Sequence, residues 1–74
     1  MNKQRRKRLG EAFDLIAQAE QICEEVKQEE DEARENLPDN FRDGDRGQEM
    51  QDAVDMIDEA IGYCQDAESV LEQI

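Results

Sequence analysis

Few residues in this chain could do chemistry, and spacing decides what each can do. Cys23 and Cys64 are the two thiols, and His is absent. No C-x-x-C pair is present, so a redox motif is missing, and two cysteines fall short of the four ligands of a zinc site. Both fall at core-type positions of the helical repeat described below, where a free Cys serves as a small buried hydrophobe. Antiparallel layering sets each against Ala or Val, and a disulfide would need a shifted register. Ser69 has neither a base nor an oxyanion context.

Carboxylates are abundant, so apparent motifs arise by chance. Asp39-Asn40-Phe41-Arg42-Asp43-Gly44 opens like a calcium loop, but Phe41 replaces the third ligand and Met50 the bidentate Glu. Glu32-x-x-Glu35 followed by Glu49-x-x-Asp52 resembles the metal-binding pattern of all-helical nucleotide pyrophosphohydrolases. Those ligands must point into a bundle. Here Glu32, Glu35 and Asp52 map to outward heptad positions and Glu49 to a flank, so a solvated face is expected. A di-iron bundle would need Glu-x-x-His. The reading is therefore a non-enzyme with no catalytic residue, no metal ligand and no cofactor. Glu30 is the one charge at a core position, with Arg34 four residues on as its natural partner.

The elements that position these residues are two heptad-patterned helices. With Leu9 at position a, the a and d positions read Leu9, Ala12, Ile16, Ala19, Cys23, Val26, Glu30, Ala33 and Leu37. This alternation of three and four residues is helical, not strand-like. A second register runs Met50, Ala53, Ile57, Ala60, Cys64, Ala67, Leu71 and Ile74. Pro38 should stop the first helix at about Leu37. Gly44 and Gly47 among Asp residues suit turns, and Phe41 is expected to fold back over the core. Asp45 with Gln48 fits a capping box at the second helix start. Gly62 lies at an outward position.

The 74 residues thus form one domain: a basic arm or helix start at 1–8, helix 1 over 9–37, a loop over 38–47 and helix 2 over 48–74. The fold class is all-α, an antiparallel, coiled-coil-like helical hairpin. Its apolar faces are too wide for a two-helix seam, because Phe13, Leu15, Ile22, Val54, Met56, Ile61, Tyr63 and Val70 extend them. Such stripes suit helices with two neighbours each, and large apolar patches mark interfaces. A homodimer closing into a four-helix bundle is expected, with those eight residues as the oligomer or partner interface.

The formal charge is −12. Lys3, Arg5, Arg6, Lys7 and Arg8 leave the other 66 residues with 21 acids against 4 bases, a net of −17. That field disfavours direct contact with nucleic acid or phospholipid and favours a basic partner. The arm should lie beside Glu68 and Glu72. No apolar run reaches membrane-span length, no secretory signal follows the basic start, and free thiols fit a cytoplasmic setting.

Met1-Asn2-Lys3-x-Arg5-Arg6-Lys7, Asn36-Leu37-Pro38 and Arg46-Gly47-x-x-Met50 resemble, over nearly the whole chain, a set of short acidic two-helix proteins. Those are encoded by phages, prophages and integrated elements of Firmicutes. The resemblance implies a bacterial host cytoplasm and carries over no functional residue. By analogy with small acidic phage proteins, it implies a host or phage protein partner, such as a DNA-binding defence nuclease, met by charge that imitates DNA.

Overall fold

The computed structural model describes all 74 residues as three helices: α1 (Lys3–Glu35), α2 (Asp39–Arg42) and α3 (Asp45–Glu72). There is no strand. The molecule is a long, extended helix pair, with Cα extents of 58 × 14 × 11 Å. Its radius of gyration is 17.1 Å, against about 11 Å for a compact chain of this length.

Helix α1 starts six residues before Leu9, so the basic arm is helical. Asn2 explains this. Its extended backbone and its Oδ1, which accepts from the Arg5 amide at 2.8 Å, cap the helix. The cap offsets five positive charges crowded at the positive end of the helix dipole. The other end comes at Glu35, two residues earlier than expected, because the residue before a proline disfavours helical backbone.

The connection is not a plain loop. Pro38 opens the one-turn helix α2, whose Arg42 side chain donates to Asp39 at 2.8 Å. Gly44 then caps α3 by its backbone, with its carbonyl accepting from the Gln48 amide. The expected capping box does not form. Asp45 is already the first helical residue, and the Gln48 side chain turns forward to Asp52 at 2.9 Å. Gly47 is likewise helical and buried: a Cβ there would overlap the Arg42 carbonyl. Glycine permits this close approach of α2 to α3. Phe41 does not fold over the core and stays 54% exposed.

Helices α1 and α3 lie against each other in opposite directions. Lys27 reaches Asp58, Gln65 reaches Glu20, and Phe13 shares a cleft with Leu71. Each descending step on α1 therefore meets an ascending step on α3. The buried seam is displaced from the expected one. On α3 it runs Gly47, Met50, Val54, Ile57, Ile61, Cys64, Glu68 and Leu71. On α1 it runs Leu9, Phe13, Ile16, Glu20, Cys23, Lys27, Glu30 and Arg34, with Leu37 just beyond the helix end. Half of each expected register is kept. The other half moves by one residue, from the alanine column to its neighbour.

Side-chain size accounts for the shift. Val54 and Ile61 remove more apolar area from water than Ala53 and Ala60 could. Across the seam, Glu20, Lys27 and Arg34 are long enough to cover that surface with their aliphatic stems. Val54 and Ile61 are the two buried apolar side chains, 5% and 6% exposed. The sequence pattern puts both on an outer interface. The structure places them inside the pair, and Phe13 is half-buried at its edge.

Candidate interaction surface

The remaining assigned residues stay outside. Leu15, Ile22, Met56, Tyr63 and Val70 are each between 59% and 70% exposed. Leu15 and Ile22 precede the seam residues Ile16 and Cys23 by one position. Met56, Tyr63 and Val70 likewise precede Ile57, Cys64 and Leu71. One step back turns a side chain by about 100° in the same sense on both helices. Antiparallel helices are related by a local two-fold normal to their common plane, so equal turns point to the same side of the pair.

The alanine columns lie between these residues and the seam. Together they make one face. On α1 it comprises Ala12, Leu15, Ala19, Ile22 and Val26; on α3, Ala53, Met56, Ala60, Tyr63, Ala67, Val70 and Ile74. None of these is charged. The same columns run on to Arg5 and Arg8 at one end and to Glu29, Ala33, Arg46 and Glu49 towards the α2 end. Tyr63 fits the pattern, since its hydroxyl donates to Glu59 on its own helix at 2.9 Å and leaves the ring outward. The opposite side and outer edges carry acids such as Asp14, Glu24, Glu25, Asp55 and Asp66.

The polar seam has its own electrostatics. Lys27 bonds Asp58 at 2.8 Å, and this bond holds its ammonium above the usual lysine range against partial desolvation. Glu30 does not partner Arg34. Asp31 does, at 4.0 Å, and the Arg34 Nε is shielded without a hydrogen-bond partner. Near the other end Glu68 faces Glu20 across the seam. Two ionised carboxylates cannot donate to each other, and Glu68 Oε1 is shielded with no partner. A proton shared with Glu20 would supply the bond, so the Glu68 carboxyl lies above its ordinary value, with desolvation adding to the shift.

Cys23 and Cys64 are both free and half-buried in adjacent seam layers. Desolvation first, then Cys23, Glu20 and Glu68, push the Cys64 thiol up, which keeps it protonated and a poor nucleophile. Glu32, Glu35, Glu49 and Asp52 are all exposed and do not converge. No group of three or more His, Cys, Asp or Glu side chains is placed to hold a metal ion. Arg6 and Glu72 line one open cleft with Leu9, Phe13 and Leu71, yet no ion pair joins the basic turns to α3. No helix is long and apolar enough to cross a membrane.

Sequence reasoning missed Glu20, Lys27, Arg34 and Glu68 as seam residues. The available signal was their seven-residue spacing combined with long stems. In comparisons with known proteins, no family model matches the chain, no curated protein matches it, and no solved structure matches it.

Proposed function

We propose that this protein is a non-enzymatic protein–protein interaction module: a coiled-coil-like helical hairpin that works as half of a four-helix bundle. The carrying observation is the uninterrupted, charge-free face of Leu15, Ile22, Val26, Met56, Tyr63 and Val70. The chain exposes 5744 Å². A globular monomer of 8.6 kDa would expose about 4,700 Å². The excess of roughly 1,000 Å² is enough to supply the area of about 800 Å² that one partner gives up in a stable complex.

The acidic side is then left as the outer surface of the assembly, suited to a basic protein. In this reading the protein is a phage or mobile-element accessory factor in a bacterial host cytoplasm. It would bind a host DNA-binding protein, a defence nuclease for example, by imitating the charge of DNA. The elongated two-faced shape also supports a second reading, an assembly component with no inhibitory role. A helical nucleotide hydrolase is disfavoured because its carboxylates would have to converge, and these four point into solvent.

Affinity capture from host lysate separates the first two. The first reading expects a DNA-binding protein that is released as salt rises from about 0.1 M to about 0.5 M, when exposed charges are screened. Recovery of a salt-insensitive structural protein would favour the second. Magnesium-dependent nucleotide cleavage by the purified chain would overturn both.

A further inference from the structure

We infer that the apolar face is occupied by a second copy of this chain docked end-reversed, with the basic first turns of each copy beside the acidic α2 end of the other. This rests on the interaction-module reading and adds the occupant and its direction. Residues 1–8 are all exposed, and none of their five cations is in an ion pair. At the far end, residues 29–52 hold ten acids against three bases. The chain is thus a rod with opposite charge at its two ends and an apolar face between them.

Two symmetric ways of closing that face exist. A two-fold along the rod sets both basic ends together and both acidic ends together, and like charges in register oppose association. A two-fold across the rod reverses one copy. The spans then match. The face is centred near Ile22, which lies opposite Tyr63, by the register that pairs Lys27 with Asp58 and Glu20 with Gln65. From that centre, Lys3–Arg8 lie about 21–28 Å away along α1, and Asn36 lies about 21 Å away on the other side. Reversal therefore brings the cations of each copy level with the acidic end of the other. Arg5 and Arg8, on the columns of the apolar face itself, then close its open end.

A single spin label tests this directly. A Gln4→Cys variant, with Cys23→Ala and Cys64→Ala, carries its label on the exposed basic turns. The end-reversed dimer predicts an inter-label distance of about 45–55 Å at 1.5 Å per residue. A distance under about 25 Å, the width of a bundle with helices 8–10 Å apart, would overturn the orientation and leave self-association standing. Absence of any inter-label coupling, with an 8.6 kDa species in sedimentation, would overturn the second copy as occupant and, with it, the bundle.

Should the cysteine replacements prevent folding, the natural thiols are kept and the five basic residues are changed instead. In the Lys3→Gln, Arg5→Gln, Arg6→Gln, Lys7→Gln, Arg8→Gln variant, the dimer dissociation constant should rise at least about tenfold, as for lost interfacial charge pairs. An unchanged or tighter dimer would contradict the reversed arrangement.

Discussion

Inside the seam, Val54 and Ile61 of α3 are buried and Glu20, Lys27 and Arg34 of α1 are half-buried; on the outer face, Leu15, Ile22 and Val26 are exposed. The contrast runs against ordinary sorting, in which charges go outward and branched apolar residues inward. The seam is good enough to align two helices. It leaves Leu15, Ile22 and Val26 of α1 exposed. On the proposed function, a helix pair of this kind is a building unit, and the exposed apolar face is the one it would share.

The largest expected effect comes from attacking the seam. Ile61→Ala should lower stability by about 2–4 kcal/mol, since it empties a buried site with little freedom to collapse. Melting followed by helical circular dichroism would show it. If Ile61→Ala melted like the wild type while Ile22→Ala did not, the roles of the two faces would be reversed. Gly47→Ala should cost about 1–3 kcal/mol by forcing α2 away from α3, again as a lower midpoint. An unchanged midpoint would mean that the close approach of Arg42 is dispensable.

On the outer face, Ile22→Asp or Tyr63→Asp should leave the helical content of the separated chain intact. Each should weaken association by about 2 kcal/mol or more, roughly thirtyfold, as for a central anchor residue. Loss of helix without change in association would sink the assignment of that face. Gly62→Ala should stabilise by about 0.5–1 kcal/mol, because the added methyl meets nothing within 4 Å. A destabilising outcome would show that this edge of α3 is covered in the assembly.

The smallest effect concerns Glu68. Its folded-state value is raised above the ordinary 4.5 by the contact with Glu20. The folded state therefore holds the proton more tightly, and stability should rise as pH falls from neutrality towards that ordinary value. Glu68→Gln should raise the melting midpoint at pH 7 and flatten this slope. An unaltered slope would remove the carboxyl pair from the account.

Much of this was legible in the residues. The heptads marked both helices, Pro38 marked the stop of the first, and Asp45 marked the region where the second begins. The seam was not legible, because two neighbouring frames share the columns of Ile16 and Ile57 and differ only in the third-or-fourth step. Counting apolar residues selects the alanine columns. Area and stem length select Val54, Ile61 and Lys27, and that choice depends on the partner helix, which local pattern does not contain. The helical basic turns hinged on Asn2, a cap readable only when a helix is already expected to start there. The outer face was half legible: Leu15, Ile22, Met56, Tyr63 and Val70 were read as outward, while Val54 and Ile61 were not separable from them.

Sedimentation equilibrium on the wild-type chain beside its Ile22→Asp variant bears most directly on the claim that the exposed apolar face is an interface. The wild type should sediment at twice the 8.6 kDa chain mass and the variant at the chain mass, with unchanged helical signal per residue. A wild type that stays at 8.6 kDa across the accessible concentrations would contradict that claim.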